Sequence, residues 1–348
     1  MTRRCSLSGF WLIVVLLVTA CGPVRVASDI LPASSLTLST APAPLPAKLN
    51  ASAVAPAQLP AKLTPQPTIT GIPVAINQFF NVSYAKISGV DPDLLSLDIY
   101  SPSKITTHLP VMIYVHGGGW SNGDKKEVNF KPEFFIKARF VFVSVNYRLN
   151  PKSKFPAQAN DVAAAVAWVY KNIAKYGGDP EKISLMGHSA GGHLAVLISS
   201  NEKYLQAQGL GLKNIRAVIA LDTAGYDLSV FAKRSKGSKL PDPYGATFGQ
   251  NPADWKSASP VTYIEAGKDI PPMVVVYSGD AGIGSVVSRK LMSEEFSQTL
   301  ARAGVKHELT GALEKNHNEI NTDFGRPGDS LSEQVLISLK KIAPAEFN

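Results

Sequence analysis

Five short, almost wholly apolar runs restrict the fold of this 348-residue chain more than any other feature: Val111–Val115, Phe140–Val145, Ile183–Met186, Ala217–Leu221 and Met273–Tyr277. A strand with one wet face alternates polar and apolar residues, whereas a run that is apolar on both faces needs cover on both sides. Helical patterns lie between the runs. The clearest places Val162, Val166, Val169 and Ile173 on one stripe and stops at Gly177-Gly178. Strands alternating with helices predict an α/β class, a doubly wound and mostly parallel sheet of about eight strands in a single domain. Phe79–Ile87 and Leu94–Tyr100 instead alternate around the turn signal Asp91-Pro92 and read as half-buried strands at the start of that domain.

Composition permits such a core. The chain is 45% hydrophobic and only 18% charged, which fits a globular protein and not a disordered one. Its net charge of +8 is scattered except for Lys233, Arg234, Lys236 and Lys239, read as a solvated loop. No nucleic-acid motif accompanies that run, and no nucleic-acid partner is expected. No cluster has the spacing of a metal site, no phosphate-binding glycine loop is present, and no cofactor is expected.

Residues 1–21 read as a leader outside the fold. Arg3 and Arg4 precede the apolar run Phe10–Val18, which is short for a membrane span. Val18-Thr19-Ala20-Cys21 resembles the lipobox of bacterial lipoproteins, which implies acylation of Cys21 and export to the cell envelope, held to a membrane by lipid. An ordinary secretory leader, giving a soluble exported protein, is the alternative. Cys5, the other cysteine, falls in the same leader, so a processed chain has no internal disulfide. Residues 22–71 are rich in Ala, Pro, Ser and Thr, repeat Leu-Pro-Ala-Lys-Leu at 45–49 and 59–63, and read as an extended spacer. The domain is expected over 72–348.

Gly187-His188-Ser189-Ala190-Gly191 lies directly after one apolar run and before the helical run 190–198. In that setting G-x-S-x-G makes a strained turn that raises the serine hydroxyl above the sheet edge and aims the Ala190 N–H at a developing oxyanion. His116-Gly117-Gly118-Gly119-Trp120 follows another run, and its glycines free the Gly118 and Gly119 N–H groups to approach the same oxygen. His116 reads as a loop-orienting residue. Three histidines follow Ser189. His193 sits one turn along the nucleophile's own helix and His307 falls in the expected last strand. His317 lies in a loop beyond that strand and is the expected base. For the acid, Asp280 after Met273–Tyr277 is chosen, with Asp269 and Asp222 as alternatives.

These motifs, with Asn146-Tyr147-Arg148-Leu149, Phe155-Pro156-Ala157-Gln158, Asp161 and Trp255…Ser259-Pro260-Val261, resemble the esterase/lipase group of α/β-hydrolases that includes hormone-sensitive-lipase-like and kynurenine-formamidase-like enzymes. The resemblance covers about 77–323. His188 stands where the hormone-sensitive-lipase branch carries Asp, which favours the formamidase-like and bacterial carboxylesterase branches. Tyr277-Ser278-Gly279-Asp280 places tyrosine where glycine is common in the family's Gly-x-x-Asp segment, so the acid position departs from the pattern. The resemblance implies a serine carboxylic-ester hydrolase working through an acyl-enzyme on a small-molecule ester of modest size. An arylformamidase using the same groups is the alternative, and a surface-anchored binding module on a retired hydrolase scaffold is the non-enzymatic one. The stretch 223–255, rich in Gly, Pro and Lys, is expected to cover the acyl pocket, with Trp120, Asp227, Tyr244 and Phe248 as candidate lining residues.

Overall fold

The five apolar runs become inner strands of an eight-stranded sheet. The structure, a computed structural model, describes residues 75–279 and 288–344. The expected leader and spacer, with Cys21, lie outside the described residues, as does Asp280. In chain order the strands are β1 (Ile76–Ser83), β2 (Ser96–Pro102), β3 (Leu109–Val115), β4 (Val141–Val145), β5 (Gly178–His188), β6 (Ile215–Leu221), β7 (Met273–Ser278) and β8 (His307–Ala312). The helices are α1 (Lys131–Lys137), α2 (Ala157–Asn172), α3 (Ala190–Ile198), α4 (Lys203–Gln206), α5 (Leu228–Arg234), α6 (Tyr244–Phe248), α7 (Pro252–Ala258), α8 (Arg289–Arg302), α9 (His317–Thr322) and α10 (Ser330–Ile342).

Strand order is β1-β2-β4-β3-β5-β6-β7-β8, with the β1–β2 and β2–β4 pairs antiparallel and the remaining neighbours parallel. Successive side chains of a strand face opposite ways. Val111, Ile113 and Val115 therefore join a core containing residues of α2 and α3, while Met112 and Tyr114 join one containing residues of α1 and α10. This two-sided burial explains why the inner strands carry almost no polar residues. The stripe Val162, Val166, Val169 and Ile173 is fully buried, each side chain contributing about 1.5–3 kcal/mol. Gly177, at φ 84, stops the run after a 3-10 turn in a backbone conformation that side chains resist. At the other end of α2, Asp161 takes two hydrogen bonds from the Arg148 guanidinium, at 2.7 and 2.6 Å, which keeps a buried carboxylate paired.

The first strand departs from the half-buried pattern expected of it. Register shifts between Phe79 and Val82, and Asn81 there takes φ 53. The bulge breaks the two-residue alternation, and on this edge strand residues 77–81 are all exposed, Phe79 and Phe80 among them. Phe79 instead meets Tyr176 edge-on and Phe80 meets Tyr100.

The stretch 223–255 is not a plain loop. It folds into α5, α6 and the start of α7, with Asp227 accepting hydrogen bonds from Ser229 and Val230 as the cap of α5. Arg234, read as part of a solvated basic run, is paired in two-pronged fashion with Glu295 of α8 at 2.7 and 2.6 Å. That pairing binds the covering helices to the sheet domain.

Candidate active site

The register of three parallel strands brings the sequence motifs together. Val115 lies opposite Gly187, and His188 lies opposite Leu221. The residues that follow each strand therefore emerge side by side at the carboxyl edge of the sheet, where a doubly wound fold presents its ligands. Ser189 follows β5, Asp222 follows β6, and His317 follows β8 as the first residue of α9.

Ser189 has φ 52 and ψ −119, a strained positive-φ conformation held because its N–H donates to Leu221 O at 2.9 Å and its carbonyl accepts from His193 N at 3.0 Å. The flanking glycines allow that turn. A Cβ on Gly187 would strike the Gly191 carbonyl, and one on Gly191 would strike the carbonyls of Val115 and His116. Ala190 begins α3, so its N–H points out of a helix N-terminus beside the nucleophile, as expected.

His317 Nε2 stands 3.1 Å from Ser189 Oγ, and Nδ1 stands 2.6 Å from Asp222 Oδ2. The carboxylate can only accept, so Nδ1 carries the proton and Nε2 is left as the base that accepts the serine hydroxyl. This geometry corrects the choice of acid: Asp222, not Asp280, takes Nδ1. The reason is topological. Asp222 follows β6 with no spacer, and β6 is the strand adjacent to that of the nucleophile. Its backbone sits at φ 49, its N–H donates to Val276 O at 2.8 Å, and its Oδ1 accepts the Ser278 N–H at 2.7 Å. Arg289 Nε lies 3.2 Å from Oδ2, a charge contact without hydrogen-bond alignment. Burial by itself would raise the Asp222 carboxyl. The His317 hydrogen bond, the Arg289 charge and the Ser278 N–H outweigh it and hold the group below the usual carboxylate range.

The glycine loop after β3 lies against the elbow. A Cβ on Gly117 would meet His188 Nδ1 at 2.9 Å and Ser189 Cβ at 3.3 Å. Gly118 and Gly119 take φ 100 and 61, open to glycine but costly to other residues, and the Gly118 carbonyl is turned away to accept from Ser121 and Asn122. His116 orients this loop, as its sequence position implied. Its ring stacks on Tyr147 with centroids 4.3 Å apart, its Nδ1 donates to Gly117 O, and Tyr147 Oη donates to His116 O. Burial pushes its pKa down to about 4, so it carries no charge at neutral pH.

Trp120 and Tyr244 are brought together, but as buried members of one aromatic cluster and not as exposed lining. Trp120 lies edge-on to Tyr244, Phe248 and His193 at centroid separations of 5.0, 4.8 and 5.3 Å. His193 packs as expected, its Nε2 donating to Ala258 O at 2.8 Å. Pro243 lies against Gly119, so the covering helices touch the oxyanion loop directly.

Two neighbours of the base escaped the sequence reading. His188 donates from Nε2 to the His317 carbonyl at 2.9 Å and lies tilted beside its ring with centroids 4.5 Å apart. Burial first, then the nearby His317, push the His188 pKa down to about 3, so the ring beside His317 stays neutral. Arg289 is the other. His188 lies within the elbow motif, but the contacts of both residues with the base and its acid join chain segments far apart in sequence.

Comparisons with known proteins bear on the family and the fold. The chain is 32% identical to Esterase LipQ of Mycobacterium tuberculosis over 205 residues, which are 56% of this chain and 46% of LipQ. It is 30% identical over 213 residues to the probable carboxylic ester hydrolase LipM of the same organism, covering 59% of this chain and 49% of LipM. The matched region thus spans about half the length of these curated relatives. Among solved structures, esterase B from Lactobacillus rhamnosis superposes with a TM-score of 0.62 at 21% identity, covering 78% of this chain and 87% of that one. Esterase Est2 of Thermogutta terrifontis gives 0.55 at 25% identity, covering 77% and 90%. The BD-FAE family model matches residues 97–294, more than half of the chain and inclusive of the elbow, the glycine loop and Asp222, and the chain belongs to that family.

Proposed function

We propose that this protein is a serine carboxylic-ester hydrolase acting through an acyl-enzyme on small to medium esters. The observation that carries the proposal is the continuous relay from Ser189 Oγ to His317 Nε2, 3.1 Å, and from His317 Nδ1 to Asp222 Oδ2, 2.6 Å, at the carboxyl edge of the sheet. His317 removes the Ser189 proton as Oγ attacks the ester carbonyl, and Asp222 stabilises the resulting imidazolium. The N–H groups of Gly118, Gly119 and Ala190 receive the oxyanion. His317 then protonates the departing alcohol, and water, activated by the same imidazole, releases the acid. The relatives named as esterases support this reading.

The test is Ser189→Ala assayed with a short-chain nitrophenyl ester and with a fluorophosphonate probe. Turnover and labelling are expected to vanish in the folded variant; undiminished turnover refutes the assignment, and folded wild-type protein that fails to label would favour a binding module. A parallel assay with N-formylkynurenine separates an ester from a formamide substrate.

We infer from sequence that the chain is exported and tethered to a membrane through a lipid on Cys21, with 22–71 as spacer and 72–348 as the catalytic domain. The lipobox-like Val18-Thr19-Ala20-Cys21 supports this. Labelled palmitate should enter the wild type and not Cys21→Ala; incorporation that survives the substitution counts against the anchor.

A further inference from the structure

The base His317 stands on a helix that cannot hold itself. α9 has six residues, fewer than an isolated helix needs to persist in water, so its orientation must come from outside contacts. Its start is fixed by Asn316, whose side chain accepts from the N–H groups of Asn318 and Glu319 while Glu319 accepts from Asn316 N–H. Its end is fixed by something less ordinary. The carbonyl of Asn321, one turn beyond His317, accepts a hydrogen bond from Lys131 Nζ at 2.6 Å, and the Asn321 side-chain oxygen accepts from Tyr114 Oη at 2.7 Å.

Both donors are fully buried beneath the site. Lys131 opens α1 and Tyr114 belongs to β3, and the ammonium also lies 4.9 Å over the Tyr114 ring. A buried ammonium is costly, and an apolar side chain would fill the same space without that penalty. Burial pushes the Lys131 pKa down to about 7, with Glu127 the carboxylate that opposes the shift. The cation does make use of its position. Carbonyls in the last turn of a helix lack partners within it, and the negative end of the helix favours a positive charge there.

We propose that Lys131 and Tyr114 are positioning residues for His317, acting through Asn321 to fix the pitch of α9 and hence the line from Nε2 to Ser189 Oγ. The inference rests on the hydrolase reading above. Neither residue touches the reacting atoms. A tilt of α9 displaces the imidazole from both Ser189 and Asp222 at once, and displacements on the order of 1 Å cost up to about 100-fold in rate.

The experiment compares wild type, Lys131→Met and Tyr114→Phe in the full chain by ester kinetics, rate of fluorophosphonate labelling and thermal melting. Lys131→Met is expected to lower kcat and the labelling rate about tenfold, and Tyr114→Phe about threefold, with KM within about twofold and melting within a few degrees of wild type. A purely structural role would shift melting and leave kcat of the folded fraction unchanged. Folded Lys131→Met with kcat and labelling within about twofold of wild type overturns the proposal. If Lys131→Met does not fold, Tyr114→Phe, which removes one oxygen, decides by the same two rates: wild-type values overturn it. Wild-type protein that fails to label defeats the hydrolase reading, and this inference with it.

Discussion

Replacing Asp222 by Asn probes the acid assignment with one atom exchanged. The carboxylate accepts from His317 Nδ1–H at 2.6 Å. An amide in its place can present N–H to that nitrogen, and the imidazole then turns to the tautomer whose Nε2 already holds a proton and cannot accept from Ser189. The lost charge matters as well. An imidazolium and a carboxylate about 4 Å apart interact by about 4 kcal/mol at an effective dielectric of about 20, which corresponds to a factor of about 10³ in rate. The equivalent change in a Ser-His-Asp triad lowers kcat by about 10⁴. Arg289, 3.2 Å from Oδ2, reinforces the loss, because its charge then faces the imidazolium with no carboxylate between them. We expect kcat of the folded variant for a nitrophenyl ester to fall by about 10³–10⁴ across roughly pH 6 to 9, with melting lowered because the buried Arg289 loses its carboxylate partner. The reasoning is refuted if folded Asp222→Asn keeps kcat within about tenfold of wild type while Asp280→Asn abolishes it. That pattern would move the acid to the segment after β7.

Two further outcomes follow from packing and burial. Gly191→Ala puts a methyl against the carbonyls of Val115 and His116, which are strand-end backbone and cannot step aside. A loss of about 1–3 kcal/mol is expected, together with impaired turnover because the glycine loop is pushed from the elbow; soluble protein with wild-type melting would contradict this. Burial holds His116, His188 and His193 neutral, with pKa values near 4, 3 and 4, against about 6.5 in the unfolded chain. Because the unfolded state binds the protons, the stability they contribute is present above about pH 6.5 and lost as pH falls toward about 4. The slope approaches about 1.4 kcal/mol per pH unit for each ring, or about 4 for the three. Urea midpoints should drop steeply over that window, and a midpoint flat from about pH 7 to about pH 5 would count against neutral burial.

Local chemistry made much of the fold and site legible. Apolar runs four to six residues long fit strands covered on both faces, and the valine stripe of α2 with its terminal glycine marked a helix and its end. Ser189 and the glycine loop were legible for the same reason, since each motif is a backbone conformation that neighbouring residues impose. His317 was reached by chain order, although it begins a helix where a loop was expected. The alternation of β1 misled, because neither the bulge at Asn81 nor the strand's place at the edge of the sheet is visible to periodicity.

What the sequence determined by itself was therefore whatever is set within a few residues: the strands, the elbow that carries Ser189 and the glycine loop that follows β3. Tertiary structure decided which carboxylate serves the base and what holds that base in line. Asp222 and His317 are 95 residues apart in the chain, and they meet because β6, whose register ends level with the strand before Ser189, and β8 deliver the residues that follow them to the same carboxyl edge of the sheet. Strand order and register are properties of the assembled sheet, and no local spacing encodes them.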